Sequence, residues 1–150
     1  MTLQERIESA MRDAMRARDA RRTLTLRMAM AAAHNRRIEL GRALADDDVL
    51  DVLSKQVKQR RESIDVYRSA GREDRAAEEE AEAAILREFL PDQLSEAEVE
   101  QLARAAITEA GASGPGDMGR VMGHLAPQTK GRADGRTVSD IVRRLLAGSD

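Results

Sequence analysis

Apolar residues recur at steps of three and four along the whole chain, and no stretch alternates apolar and polar residues as a half-buried strand does. The spacing is clear near the start, at Leu3, Ile7 and Met11, and again near the end, at Ile141 and Leu145. Ala, Leu, Arg and Glu, which dominate the composition, are strong helix formers. The chain is therefore predicted to be all-α.

Capping signals place the ends of several helices. Thr2 with Glu5 and Ser95 with Glu98 have the spacing of a capping box, in which the first side chain and the third helical residue satisfy each other's backbone N–H groups. Glycine can adopt the left-handed conformation that ends a helix. Three glycines are expected to do so: Gly41, Gly71 and Gly111.

The fourth predicted helix begins weakly. The second helix is predicted from about Arg21 to Leu40, and the fourth from Arg72 to Leu90, where Ala and Glu favour a helix but offer little apolar area. The third helix has a heptad-like apolar pattern that Arg60 interrupts. The apolar stripe predicted for the second helix is Leu24, Met28, Ala31, Asn35 and Ile38, widened by Leu26, Met30 and Ala33.

Pro91 divides the predicted helices into two groups, because the residue before a proline is pushed out of the helical region. Residues 1–91 are predicted to form an N-terminal domain, a bundle of about four helices. Residues 92–150 are predicted to form a small C-terminal three-helix domain. In this second domain Pro127 is expected to end the sixth helix, and Asp134 to cap the seventh.

The sequence lacks the residues that several classes of function require. There is no cysteine, and His34 and His124 have no carboxylate at metal-ligand spacing, so no metal site is predicted. No nucleophile, base and orienting group occur together, which predicts no catalytic residues, no cofactor and no self-sufficient enzyme. The first twenty residues have no apolar signal-peptide core, and no run of 18 apolar residues occurs. A cytoplasmic protein with no membrane partner is expected.

Charge is distributed unevenly although the net charge is only −2. Residues 1–42 have ten arginines against five acids, and residues 73–109 have three arginines against twelve acids. Residues 117–144 have six Lys or Arg against three aspartates. Two basic regions therefore bracket an acidic one, as expected either for binding of charged partners or for helix faces that pair with each other.

The densest motif runs from Asp117 to Gly135 and begins with two glycines four residues apart, Gly119 and Gly123. Each costs about 1 kcal/mol of helix propensity relative to alanine. Close packing between helices would offset this cost, and so would the close approach of a large partner's backbone. Packing is the preferred interpretation.

The second half of the motif is Lys130-Gly131-Arg132, followed by Gly135. Both glycines permit a positive φ, and the turn would expose two cations near a helix N-terminus, a surface suited to phosphate. Arg120 and Arg136 lie nearby in sequence, so four cations could converge there. An ordinary solvated loop is the alternative. Since Phe89 and Tyr67 are the only aromatic residues and fall in the first domain, recognition of RNA shape is favoured over base stacking.

The chain resembles the YqeY family and the homologous tail of the B subunit of the tRNA-dependent amidotransferase, GatB. DMGRVMG and KGRADGRTV carry the resemblance. The segments MTLQERIESAMRDAMRARD, LSKQVKQRRESIDVY and EFLPDQLSEAEV extend it over essentially the whole chain in the family's order. The resemblance implies an all-helical fold and a tRNA-binding module, because the amidotransferase tail contacts the outer corner of tRNA.

The cationic turn gives the candidate residues, and the resemblance adds the partners that they would contact. RNA contacts are predicted at Arg120, Lys130, Gly131, Arg132 and Arg136. The structural motif is predicted at Asp117, Gly119, Gly123, Asp134 and Gly135. The predicted partners are tRNA and an amidotransferase or other translation components. Carbon–nitrogen ligase activity with glutamine as amido donor would come only through such an association. The alternative is a protein-interaction module or accessory factor with no role in RNA binding.

Overall fold

The structure is a computed structural model that describes residues 1–148. Within that range it contains α-helices joined by short connections and no strand, so the predicted all-α fold is confirmed. The helices are α1 (Leu3–Arg16), α2 (Ala20–Leu40), α3 (Asp46–Ser69), α4 (Glu73–Arg87), α5 (Glu96–Ala110), α6 (Met118–Thr129) and α7 (Gly135–Leu146), with a 3-10 turn at Pro115–Asp117 before α6. The chain divides into two compact units, Met1–Pro91 and a second that begins at Asp92.

The first unit packs α1 to α4 around one apolar core. Thr2 caps α1 through the predicted capping box with Glu5. Asp46, in the first turn of α3, also accepts a hydrogen bond from the Leu3 N–H at 3.0 Å, so one carboxylate ties together the beginnings of two helices. The buried core residues are Leu3, Ile7, Leu26, Ala29, Val49, Leu53, Val57, Leu86 and Phe89.

Helix α2 buries the residues predicted to widen its apolar stripe, and not the central row of that stripe. Leu26 and Ala33 face the core together with Ala29, and Met30 is partly buried, whereas Leu24, Met28, Ala31, Asn35 and Ile38 are exposed. Apolar residues occur on both sides of this helix, and the small Ala29 and Ala33 allow neighbouring helices to approach more closely than the stripe would. The predicted apolar stripe was therefore wrong as a core face for its central row and was confirmed at Leu26 and Ala33.

Helix α4 is anchored on α3 by charge as well as by packing. It buries Ala76, Ala83 and Leu86, which together offer little apolar area. Arg60 of α3, only 9% exposed, donates hydrogen bonds to Glu82 at 2.6 Å and to Glu79 at 3.3 Å. The arginine that interrupts the apolar pattern of α3 is therefore a buried partner for the acidic face of α4, which the more exposed Arg68 also pairs with.

The second unit packs α5, α6 and α7 around its own core. Ser95 and Glu98 form the predicted capping box at the start of α5, and Gly111 ends that helix in the left-handed conformation. The buried apolar residues are Val99, Ala103, Ala106, Val121, Leu125, Val138, Ile141, Val142 and Leu146.

Helix α6 does not end at Pro127, contrary to the prediction. It continues to Thr129, and the next residue, Lys130, donates its N–H to Ala126 at 3.0 Å. Pro127 falls within the last turn, where its missing N–H removes one hydrogen bond without preventing those that follow. The Gln128 side chain donates to the His124 carbonyl at 3.2 Å, which adds a bond to the same turn.

Candidate nucleic-acid interface

Asp117 organises the glycine-rich loop before α6. Its carboxylate accepts hydrogen bonds from the backbone N–H groups of Ser113 at 2.9 Å and Gly114 at 3.4 Å, and from the Arg120 guanidinium. The Ser113 N–H and then Arg120 are the main reasons that the pKa of Asp117 falls to about 2. The first residue of the motif is therefore an ionised anchor for the loop.

The Arg120 guanidinium is partly engaged by the Asp117 carboxylate. Besides Asp117, its guanidinium donates to the Ala110 carbonyl at 3.0 Å, close to the end of α5. The side chain is still 60% exposed. Arg120 therefore connects the loop to α5 while keeping exposed donors, since a guanidinium has five N–H groups.

Gly119 and Gly123 lie on the exposed face of α6, not in a helix interface. Within residues 1–148, a Cβ built on either glycine would have no atom within 4 Å outside its own helix turn. Ala126 and Pro127 continue the same face and are exposed as well. The preferred interpretation of the two glycines as packing residues was wrong, because no described residue packs against them. Gly119, Gly123, Ala126 and Pro127 together form a helix face almost without side chains, named here the bare strip.

The turn after α6 is held by the first residues of the second unit. Gly131 has a φ of 73°. Its carbonyl accepts a hydrogen bond from the Gln93 side-chain amide at 2.8 Å, and the Arg132 carbonyl accepts one from the Leu94 N–H at 2.7 Å. The left-handed glycine thus shapes a turn that is clasped to the segment before α5.

The Arg132 side chain also holds the turn in place. Its Nε donates to the Asp92 carbonyl at 3.1 Å, and another guanidinium nitrogen donates to the Gln128 carbonyl at 3.3 Å. The residue is half-buried, whereas Lys130 is exposed. The turn was expected to expose two cations, and it fully exposes only the lysine.

The start of α7 holds the remaining predicted residues. Gly135 is the first residue of the helix and does not have a positive φ, so the conformational freedom expected for it is not used. Asp134 is the N-cap, and its carboxylate accepts the Thr137 hydroxyl at 3.3 Å. Arg136 is exposed, and its side chain makes no hydrogen bond or ion pair within residues 1–148.

The predicted cations do not form one cluster. Arg120 stands near the beginning of α6 and Lys130 follows its end, and ten residues of helix separate them by about 15 Å. Exposed cations therefore border the bare strip at both ends of α6, and Arg136 lies beyond the turn on α7. This spread fits an extended polyanion better than a single phosphate group.

Sequence reasoning missed the segment that supports the turn. Asp92 and Leu94 contribute backbone groups and Gln93 an ordinary exposed amide, so their roles leave no side-chain pattern in the sequence. In the sequence, only Gly131, Gly135 and Pro91 indicate that this region is irregular.

Residues 1–148 contain neither a metal-binding cluster nor a membrane-spanning helix. Nowhere in residues 1–148 do three or more His, Asp or Glu side chains cluster in a way that would hold a metal ion. None of the helices in that range has the length and hydropathy needed to cross a bilayer.

Comparison with known proteins gives a family and two relatives. The family described as Yqey-like protein matches residues 4–146. A protein of Pyrenophora tritici-repentis named Altered inheritance of mitochondria protein 41, mitochondrial, is 27% identical over 94% of this chain and 79% of its own length. A Schizosaccharomyces pombe protein named Uncharacterized protein C22F3.15 is 33% identical over 62% of this chain and 76% of its own length. Since the family pattern covers nearly the whole chain, the protein belongs to the YqeY family.

Proposed function

We propose that the second unit binds tRNA through the exposed face of α6 and the cations around it. The observation that carries this proposal is the bare strip, in which Gly119 and Gly123 face outward with no atom against them. Two exposed glycines in one helix lower its stability without any packing that would offset the loss. Their absence of side chains is explained if the backbone of a large partner approaches the helix at this face.

The charges around the strip favour a polyanion as that partner. Arg120 and Lys130 lie toward its two ends, and Arg136 lies beyond the turn. Lys and Arg contacts to phosphates supply much of the affinity for nucleic acids and position the protein on the backbone. Arg132 takes a different role in this proposal, because its guanidinium is engaged by carbonyls: it holds the turn that presents Lys130.

Recognition of folded RNA fits the unit better than recognition of single-stranded bases. The chain has one Phe and one Tyr, at positions 89 and 67 in the first unit, so α5 to α7 contain no Phe, Tyr or Trp for base stacking, and the imidazole of His124 is their one aromatic ring. Shape and backbone contacts remain as the means of selection. The resemblance to the amidotransferase tail, which contacts the outer corner of tRNA, makes tRNA the folded RNA of choice.

The proposal assigns binding, not catalysis, to this chain. Glutamine-dependent carbon–nitrogen ligation would then be the activity of an amidotransferase or another translation component. The protein would deliver tRNA to that partner or hold tRNA for it. The cytoplasmic location stays a prediction; one relative has the word mitochondrial in its name.

Binding of an unmodified tRNA transcript, measured by fluorescence anisotropy at several salt concentrations, tests the proposal. Lys130→Glu and Arg136→Glu should each weaken binding, and each neutral variant, Lys130→Gln or Arg136→Gln, should flatten the plot of log K against log salt by about one unit. Arg143→Glu is the matched control, because Arg143 is also exposed on α7 but pairs with Asp140 at 3.0 Å near the end of the helix.

Two results would contradict the proposal. One is the absence of measurable binding at low salt. The other is equal weakening by Arg143→Glu and Lys130→Glu, because binding would then depend on net charge and not on this surface. A tRNA acceptor stem alone should bind more weakly than the whole tRNA if the outer corner is the recognised part.

A further inference from the structure

We propose that the exposed face of α2 in the first unit is a docking surface for an amphipathic helix with acidic flanks, supplied by a partner protein. This face, named here the α2 stripe, consists of Leu24, Met28, Ala31, Asn35 and Ile38. Its apolar side chains lie outside the core and are among the largest exposed in the chain: Leu24 is 53% exposed, Met28 48% and Ile38 67%.

The spacing of the α2 stripe is that of a helix-pairing seam. Its steps of four, three, four and three place all five residues in an arc of about 80° over about 21 Å of helix. Scattered surface leucines need no explanation, but a heptad seam sustained through a helix is the pattern by which one helix packs against another. Asn35 occupies an a position of this heptad, where a polar residue fixes the register of the pair.

A groove runs beside the seam and gives a partner helix a second wall. It encloses about 410 Å³ between α2 and α3, and Asn35 lines it together with Ala32 of α2 and Val52 and Gln56 of α3. A helix laid along the α2 stripe would therefore find an apolar row with this groove beside it.

The charge beside the stripe selects an acidic partner. Arg22 pairs with Glu88 and Arg36 with Glu39, but the side chains of Arg21, Arg27 and Arg37 make no ion pair or hydrogen bond with any residue from 1 to 148. Arg21 and Arg27 flank the N-terminal half of the stripe on its two sides, and Glu39, which pairs with Arg36, flanks its C-terminal end. A second copy in parallel would bring the same unpaired arginines against these, so the charges favour a different protein with Asp or Glu beside its apolar row.

The apolar row also argues against two other anionic partners. RNA offers no matching row of aliphatic groups for Leu24, Met28 and Ile38. A membrane surface would receive a stripe only one residue wide, with the amide of Asn35 directed into the apolar layer.

The test uses the full chain and two synthetic helical peptides of about four heptads. Both have Leu and Ile in the seam and one seam Asn; one has Glu and the other Lys at the flanking e and g positions. Fluorescence anisotropy at about 0.15 M salt should show binding of the Glu peptide and at least about ten-fold weaker binding of the Lys peptide.

Matched variants locate the binding surface. Leu24→Gln with Ile38→Gln should weaken binding of the Glu peptide at least about ten-fold, whereas Val66→Gln, which changes another aliphatic residue exposed at 66%, should not. Arg21→Glu with Arg27→Glu should abolish the preference for Glu flanks, whereas the exposed Arg61→Glu should preserve it.

Four outcomes would overturn the proposal. They are no binding of the Glu peptide, equal binding of both peptides, and binding that the Leu24 and Ile38 substitutions leave unchanged. The fourth outcome applies if the wild-type protein does not bind the Glu peptide. If the Leu24 and Ile38 substitutions then abolish self-association in sedimentation, the stripe binds a second copy; if they abolish binding to phosphatidylglycerol vesicles, it binds a membrane.

Discussion

The carboxylate of Asp117 accepts the backbone N–H of Ser113 at 2.9 Å, so the acid that begins the glycine motif also closes the loop before it. Because the backbone N–H groups and Arg120 favour the ionised form, the pKa of Asp117 is lowered from 3.8 to about 2. A lowered pKa contributes stability that is fully present above the ordinary value and is lost as pH falls from about 4 to about 2. We expect Asp117→Asn to destabilise the second unit above pH 4, and the difference from the wild-type protein to shrink below it.

Thermal unfolding of both proteins between pH 7 and pH 2 measures this difference, and the carboxyl NMR resonance of Asp117 reports its titration directly. Asp140→Asn is the control, since Asp140 is exposed and contacts Arg143 but no backbone N–H of a loop. A destabilisation by Asp117→Asn that is the same at pH 7 and pH 2 would contradict the assignment.

Removal of the buried arginine between α3 and α4 should be costly. Arg60→Met retains the length of the side chain but leaves the carboxylates of Glu79 and Glu82 without a cation, and we expect the free energy of unfolding to fall by about 3 kcal/mol. Chemical denaturation followed by circular dichroism measures the change.

A compensated variant separates charge from packing. Arg60→Met combined with Glu79→Gln and Glu82→Leu removes both stranded charges, so it should recover most of the lost stability. If the triple variant is no more stable than Arg60→Met, the arginine acts through its packing and not through its ion pairs.

Local signals in the sequence predicted much of this fold. Both capping boxes formed at the helices where Thr2 and Ser95 indicated them, and Gly41 and Gly111 end their helices with positive φ. These features depend on residues three or four positions apart, so the sequence contains the whole interaction. Helix α4 ends at Arg87, three residues before the predicted Leu90, because its last turn tightens ahead of the restriction that Pro91 imposes.

Features that depend on distant partners were predicted less well. Helix α2 has two apolar faces, and only the packing of α1, α3 and α4 decides that Leu26 is buried and Leu24 exposed. The same holds for Gly119, whose spacing from Gly123 is equally compatible with packing and with exposure. The turn at Gly131 is held by hydrogen bonds to backbone carbonyls. Because every residue has a carbonyl, no residue type in the sequence predicts these bonds.

The capping box of α5 gives a prediction at the start of the second unit. Ser95 Oγ accepts the Glu98 N–H at 3.1 Å, and the Ser95 N–H is the main cause that lowers the pKa of Glu98. Ser95→Ala should lower the free energy of unfolding by about 1 kcal/mol, whereas Ser95→Asp should preserve it, since Asp also caps well. Thermal unfolding at pH 7 compares the two, and equal losses would show that the hydroxyl does not act as the cap.

The two exposed glycines of α6 allow stability and binding to be separated. Gly123→Ala adds a methyl group where no atom lies within 4 Å and the backbone is helical, so the free energy of unfolding should rise by about 0.5–1 kcal/mol. Gly111→Ala is the contrast, because its φ of 64° is unfavourable for alanine and the variant should be less stable. If the bare strip is the surface that tRNA approaches, Gly123→Ala, and more strongly Gly123→Leu, should weaken tRNA binding although the fold is more stable. Weaker binding by a more stable protein cannot result from unfolding, so the pair of measurements distinguishes a contact surface from a structural glycine. Unchanged tRNA binding by Gly123→Leu would rule the strip out as the contact surface.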